Sequence, residues 1–362
     1  MDGIKISTPG RICLFGEHQD YLNLPVIPCA ISLRISVKGS HRKDSIVHIE
    51  LPDIGTSDEF SLDGSLAYRT ERDYLRSAIN IMCRAGFTFS KGLDCIIRGT
   101  IPLNSGTSSS SALVVGWINF LARMSDQKTK LSPEEIARLA HQAEVKEFGE
   151  PGGMMDQYST SLGGALFVEF YPKLAIQRLP SQLKSFVLGD SLEQKNTKLI
   201  LSHVKNRVLD IVKQISRNHR GFSLHTISLA NIDWYLRNLD NEQRDLLVGT
   251  IHNRDITLEA IKLFVQPKFD DQKFGELLNQ HQSILRDILK ISTPKINRML
   301  DAAMNAGAYG GKINGSGGGG CMFAYSPDNP ESVAEAINHA GGKAYIVNID
   351  GGTRIEHAER TQ

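Results

Sequence analysis

The segment that most limits how this chain can fold runs from Leu93 to Met124. Leu93 to Ile101 reads as a strand, and Ala112 to Met124 reads as a helix that is apolar nearly all round. Between them lies Pro102-Leu103-Asn104-Ser105-Gly106-Thr107-Ser108-Ser109-Ser110-Ser111. A helix without a polar stripe is buried on most of its faces, so the junction belongs to packed structure. Gly106 lets backbone approach a ligand closely. The serines bring hydroxyls and amide N–H groups to a helix N-terminus, where unpaired donors and the positive end of the dipole favour an anion such as phosphate. The competing reading is of ordinary linker and capping serines. Serine linkers rarely feed straight into a buried apolar helix, which favours the phosphate reading.

Charge and cysteine usage remove several classes of function. Lys and Arg number 41 against 40 Asp and Glu, a net +1 that offers no basic field to nucleic acid or to an anionic membrane. Met1 to Ser7 lacks the basic stretch and apolar run of a secretory signal. Ala112 to Met124 is interrupted by Asn119 and Arg123 and is too short to span a bilayer. Cys13, Cys29, Cys83, Cys95 and Cys321 are scattered without zinc-knuckle spacing, and read as reduced core thiols of a cytoplasmic protein. No period of repeats is present, and nothing in the sequence reports oligomeric state.

The remaining pattern predicts an α+β protein of two domains, 1–180 and 181–362, facing each other across a cleft. Ile31, Leu33, Ile35 and Val37 alternate with Ser32, Arg34, Ser36 and Lys38 as in a half-buried strand. Ser45 to Leu51 is a weaker strand, and Leu162 to Phe170 reads as another. Ser132-Pro133-Glu134-Glu135 opens a helix with an N-cap serine, a proline at the first position and a capping-box glutamate. Gln177 to Gly189 holds the expected junction. Residues 195–305 read as mostly helical, with amphipathic stretches at Leu258–Val265 and Phe274–Leu289. The strand Cys321–Tyr325, the helix Pro330–His339 and the strand Lys343–Ile349 follow.

Two further segments could carry chemistry. Glu144 lies on the stripe formed by Ile136, Leu139, Ala140 and Ala143, where a carboxylate is costly unless a cation or metal accompanies it. The alternative is that it turns outward or meets a lysine. Twelve residues on, Asp156 stands in Gly152-Gly153-Met154-Met155-Asp156-Gln157-Tyr158, and alone it could equally cap a helix. Near the end, Gly310-Gly311-Lys312-Ile313-Asn314-Gly315-Ser316-Gly317-Gly318-Gly319-Gly320 resembles neither nucleotide fingerprint in context. A strand and not a helix follows it, and Ile313 stands where a Walker loop needs Ser or Thr. It reads as flexible backbone able to wrap a ligand or a neighbouring segment.

In this order, the segments resemble the galactokinase, homoserine kinase, mevalonate kinase and phosphomevalonate kinase (GHMP) superfamily. Pro9-Gly10-Arg11-Ile12-Cys13-Leu14-Phe15-Gly16-Glu17-His18-Gln19-Asp20-Tyr21 narrows the likeness to galactokinase-like sugar kinases, and Pro151–Tyr158 and Leu277–Leu300 extend it. The resemblance implies an N-terminal domain like the second domain of ribosomal protein S5 and a ferredoxin-like C-terminal domain. It also implies ATP and Mg²⁺, and a small-molecule sugar phosphorylated on its anomeric hydroxyl. Carried over by position, Ser105, Gly106, Ser108, Ser109, Ser110, Gly317 and Gly318 would bind the ATP phosphates. Ser110 and Glu144 would hold Mg²⁺, Asp156 with Arg11 would be catalytic, and Glu17, His18, Asp20 and Gly153 would hold the sugar.

Several positions depart from the galactokinase pattern. Cys13 replaces the usual Asn, Gln19 the usual Thr and Gly152 the usual Cys. Leu22-Asn23-Leu24-Pro25 fills a turn that normally contains glycine, and Asp190 to Arg207 lacks the expected Tyr. These changes leave the reaction type intact and the acceptor open. Galactose, another hexose, a pentose, a uronic acid and a heptose phosphate all remain, and so does a non-catalytic regulator that binds sugar and ATP. The complete set Arg11, Ser110, Glu144 and Asp156 speaks for turnover.

Overall fold

The computed structural model describes residues 3–180, 182–194 and 197–356, so Ser181, at the expected domain junction, lies outside it. The first part of the chain follows its alternation pattern. β1 (Ile4–Phe15) and β2 (Ile27–His41) pair antiparallel, with Ile6 opposite Val37. Ile35 and Val37 are buried while Lys38 between strand neighbours is exposed. β3 (Ile46–Leu51), β4 (Thr56–Ser61), α1 (Tyr74–Arg84) and β5 (Leu93–Gly99) follow. β3 runs parallel to β5, and β5 pairs with β2.

α2 (Ser109–Met124) is the apolar helix expected after the serine loop, with Trp117 and Phe120 fully buried and stacked at 5.4 Å. Each such side chain contributes about 1.5–3 kcal/mol through burial, which anchors the loop that precedes the helix. α3 (Pro133–His141) begins with the Ser132–Glu135 capping box. It runs on into a π-helical turn, Gln142–Lys146, that carries Glu144. Leu162, expected in a strand, instead ends α4 (Met155–Leu162). The Gly163-Gly164 pair, both at positive φ, turns the chain before β6 (Ala165–Glu169) and β7 (Ala175–Leu179).

The second part comprises β8 (Phe186–Asp190), α5 (Thr197–Asn218), α6 (Asp233–Leu236), α7 (Asn241–Phe264), α8 (Asp271–Ser283) and α9 (Pro294–Asn305). β9 (Gly310–Ile313), β10 (Cys321–Tyr325), α10 (Pro330–His339), β11 (Lys343–Val347) and β12 (Arg354–Glu356) complete it. The glycine-rich segment read as flexible backbone thus begins with a strand, β9, all of whose residues are buried. The strands β11-β8-β10-β9 form an antiparallel sheet, whereas β12 returns to β1 in the first sheet, ordered β12-β1-β2-β5-β3-β4. One apolar cluster joins Phe15 at the end of β1 to Phe186, Phe274 and Phe323 of the second part, with the Phe15 and Phe274 rings 5.4 Å apart. The two parts therefore share a core, and the end of β1 is pinned from both sides. Among the described residues, no helix is long and apolar enough to cross a membrane.

Candidate active site

A cavity of about 460 Å³ opens between the end of β1, the serine loop, the π-helical turn and the start of α4. Gly315 and Ser316 are the lining residues from the second part of the chain. The strand pairing explains how Arg11 reaches this cavity. The β1–β2 register shifts between Pro9 and Arg11, and such a bulge re-aims the side chain beside it. A Cβ at Gly10 would come within 2.9 Å of the Thr107 carbonyl, so glycine lets β1 run directly against the serine loop. The Arg11 amide donates to that carbonyl at 3.1 Å.

The Arg11 guanidinium joins two functions. Nε and Nη2 donate to the two Asp156 carboxylate oxygens at 2.8 and 2.9 Å, a bidentate pair, and Nη1 donates to the carbonyl of Gly106. Burial opposes the Arg11 charge, but Asp156 and Glu17 outweigh it and hold the pKa above its ordinary value. The Asp156 side chain remains 30% exposed, towards the cavity it lines.

The serine loop ends at the N-terminus of α2 with an unused hydroxyl. Ser108, at the N-cap of α2, has φ of 58°, and its buried Oγ has no hydrogen-bond partner. A non-glycine residue held in that region is strained, which is common where a loop is built around a ligand. Ser105, Gly106, Ser108, Ser109 and Ser110 all line the cavity, although the Ser105 hydroxyl is occupied by Pro102 O at 2.8 Å and Thr107 Oγ1 at 3.0 Å. The glycine-rich segment braces the loop from behind. Asn314 Nδ2 donates to Gly106 O at 2.8 Å and the Cys321 amide donates to Ser105 O at 2.6 Å. A Cβ at Gly315 would meet Gly106 O at 2.7 Å.

Gly317 and Gly318 are the exception among the expected phosphate ligands, for neither lines the cavity. The Gly318 amide donates to Ile291 O at 2.7 Å, and a Cβ at Gly317 would collide with Ile291. Both glycines serve close packing, and the cavity-facing part of the segment is Gly315-Ser316.

Glu144 is buried beside the serine loop, resolving the open choice of its surroundings: it neither turns outward nor meets a lysine. Gln157 Nε2 donates to its Oε2 at 2.7 Å. Burial raises its pKa, and hydrogen bonds from Gln157, Ser110 and Ser111 oppose that rise. No ion pair to Glu144 occurs among the described residues. A carboxylate and a hydroxyl, both hard oxygen donors, with a buried negative charge lacking a counter-ion, fit Mg²⁺.

The residues expected at the acceptor lie together at the cavity wall. A Cβ at Gly153 would come within 2.2 Å of Asp20 Oδ2, so a larger residue just before α4 would displace this carboxylate. The Tyr21 amide donates to Asp20 Oδ1 at 2.9 Å. Burial and then the nearby Asp156 charge push the Asp20 pKa up to about 6, against the pull of the Tyr21 and Met155 amides. His18 lines the cavity with Nδ1 2.7 Å from the Tyr21 hydroxyl. Glu17 is differently committed: its Oε2 accepts from Lys312 Nζ at 2.8 Å, with the two side chains 3% and 0% exposed. Lys312 also donates to the carbonyls of Cys13 and Ile313, both at 2.8 Å, so all three of its hydrogens are used.

Sequence reasoning missed Lys312, which it considered only as a Walker lysine. A lone cation between apolar strand neighbours, opposite an acid following an apolar strand, was the available signal. It also left the apolar wall unassigned, to which Ile35, Leu51, Ile97, Ile101 and Leu113 contribute. Conversely, Gln19, singled out as a departure affecting the acceptor, does not line the cavity. It is 1% exposed, and its Nε2 donates to Thr250 O on α7 at 2.8 Å. Cys13 is likewise buried away from the cavity, whereas Gly152 lines it.

The pattern of the GHMP kinases N terminal domain matches residues 73–164, that of the GHMP kinases C terminal matches 259–343, and the galactokinase galactose-binding signature matches 2–41. A mevalonate kinase of Thermococcus onnurineus is 32% identical over 98% of both chains. A galactokinase of Actinobacillus succinogenes is 26% identical over 92% of this chain and 88% of its own. In three dimensions, a Lactococcus lactis galactokinase complexed with galactose superposes with a TM-score of 0.85 at 24% identity, covering 98% of this chain and 95% of that one. The Methanococcus jannaschii mevalonate kinase gives 0.75 at 20% identity, over 97% and 99%. The fold is the two-domain GHMP kinase fold, as the sequence implied.

Proposed function

This chain belongs to the GHMP kinase family, and we propose that it transfers the γ-phosphoryl group of ATP to the anomeric hydroxyl of a galactose-like sugar. The observation that carries this reading is the Arg11 side chain, bound at once to Gly106 O in the serine loop and to both oxygens of Asp156. One guanidinium thereby keeps the donor loop and the candidate base in fixed relation.

The serine loop holds the phosphates with amides at the start of α2 and with the hydroxyl of Ser108. The apolar wall at Ile35 and Ile97 accepts the flat base of the nucleotide. Asp156 accepts the proton of the acceptor hydroxyl as that oxygen attacks the γ-phosphorus and the bond to the β-phosphate oxygen breaks. Arg11 holds Asp156 in orientation and offers positive charge to the equatorial oxygens. General-base help contributes on the order of 10²–10⁴ in rate, and positioning and charge stabilisation supply most of the rest. Ser110 and Glu144 would hold Mg²⁺, which when bound neutralises phosphate charge.

The 32% identical mevalonate kinase favours a second reading, a mevalonate-like acceptor that carries a carboxylate. The electrostatics of the acceptor end oppose it. Asp20 forms no ion pair among the described residues and already suffers from the Asp156 charge. Such an acid welcomes the hydroxyl donors of a neutral polyol and repels a carboxylate.

A panel of galactose, other free hexoses and pentoses, uronic acids, heptose phosphate and mevalonate, assayed by ADP release, tests the choice. A neutral sugar should have the highest kcat/KM. If mevalonate leads the panel, the sugar reading falls.

A further inference from the structure

We propose that Gln157 is an outer-shell ligand of the metal site, holding Glu144 with its amide nitrogen and receiving a metal-bound water with its carbonyl oxygen. The inference rests on Ser110 and Glu144 as the Mg²⁺ ligands and assigns a role to a residue beside them.

Gln157 is 2% exposed and lines the cavity. Its Nε2 donates to Glu144 Oε2 at 2.7 Å and approaches Ser111 Oγ at 3.5 Å. Its Oε1 is buried and has no hydrogen-bond partner. The amide orientation is forced, since exchanging its two ends would set a carbonyl oxygen against a carboxylate oxygen. An orphaned buried carbonyl is costly, and a side chain kept in that condition beside a candidate metal ligand calls for an occupant. Mg²⁺ supplies one, because it gives up its waters reluctantly and keeps several when bound by few protein oxygens. A metal-bound water is a strong donor, and Gln157 Oε1 is an acceptor without one.

The two ends of the amide then do complementary work. Nε2 holds Oε2 of Glu144, the carboxylate that would hold the metal with Ser110. Oε1 of Gln157 fixes the hydration shell. The first turn of α4 thus serves both partners of the transfer, Asp156 facing the acceptor and Gln157 facing the metal. Gln157 touches no reacting atom in this scheme and is a positioning residue.

Mn²⁺ is the probe. Its binding to the full chain with a non-hydrolysable ATP analogue is followed by the loss of the free-ion EPR signal, alongside the Mg²⁺ concentration that half-activates turnover. Gln157→Leu should weaken Mn²⁺ binding and raise half-activating Mg²⁺ by roughly 10–100-fold, with the acceptor KM little changed. Glu144→Gln is the control. If it weakens Mn²⁺ binding while Gln157→Leu leaves binding and half-activation at wild-type values, the outer-shell role is overturned. If Glu144→Gln also binds Mn²⁺ normally, the metal reading itself fails. Should the leucine variant not fold, Gln157→Glu keeps the size and the acceptor and sets a second carboxylate against Glu144. Mn²⁺ should then raise its melting temperature by more than it raises that of the wild type, and an equal rise would overturn the proposal.

Discussion

Two of the ion pairs that tie distant parts of this chain together differ in what lies on their open side. Lys312 and Glu17 are nearly closed off: Nζ reaches the carboxylate and two backbone carbonyls, the side chains are 0% and 3% exposed, and of the two only Glu17 borders the cavity. Arg11 and Asp156 are as close, but the aspartate faces the cavity. The Lys312 ammonium, with all three hydrogens used, holds structure, because nothing further can be gained by binding to it. A charge held firmly on one side and free on the other is ready for a ligand. Family likeness implies a place for Glu17 at the acceptor, and Glu17 both borders the cavity and ties the end of β1 to β9 through Lys312.

This contrast breaks most directly at Asp156. Asp156→Asn keeps the shape and removes the base, and kcat should fall by roughly 10² or more while the affinity for ATP changes little. Near-wild-type turnover would remove Asp156 from the mechanism and erase the distinction between the pairs. The closed pair should respond in stability. Lys312→Met leaves Glu17 buried without its cation, and denaturant unfolding should show a loss of about 3–5 kcal/mol. Adding Glu17→Gln should recover much of that loss, since no bare charge remains. If the double variant is as unstable as the single one, packing around the lysine stem and not the charge accounts for the effect.

How far the sequence was legible follows the same division. The serine loop could be found because its motif is contiguous and stands between elements with strong periodicity, whereas Arg11, Glu144 and Asp156 received their roles only from the family resemblance. The strand–loop–helix order around Ser108 was readable for that reason. Lys312 and Glu17 lie 295 positions apart, so no local pattern reports their contact. Gln19 misled because a departure within a motif does not reveal which way the side chain points, and here it points to α7. The glycines misled differently: Gly315 meets the serine loop while Gly317, two residues on, meets Ile291. Glycine spacing signals close approach but not its object. The turn at Gly163-Gly164 shifted a strand boundary for a related reason, since the apolar content of α4 and β6 runs on through it.

The smallest effect expected belongs to Asp20, which sharpens the comparison because it is an open charge that forms no ion pair among the described residues. Its pKa of about 6 in the folded protein lies above the ordinary 3.8. Between about pH 4 and pH 6 the folded state therefore binds the proton that the unfolded state has released, and stability falls as pH rises through that window. Asp20→Asn cannot titrate and escapes the fall. The variant should match the wild type near pH 4 and be the more stable protein at pH 7, with a higher acceptor KM. Urea midpoints measured at both pH values check the stability, and the acceptor KM at pH 7 checks the function. A stability difference that does not grow between pH 4 and pH 6 would mean that Asp20 is comfortable as an anion. It would then be a charge already satisfied by the fold, and the case for a neutral polyol at the acceptor end would lapse.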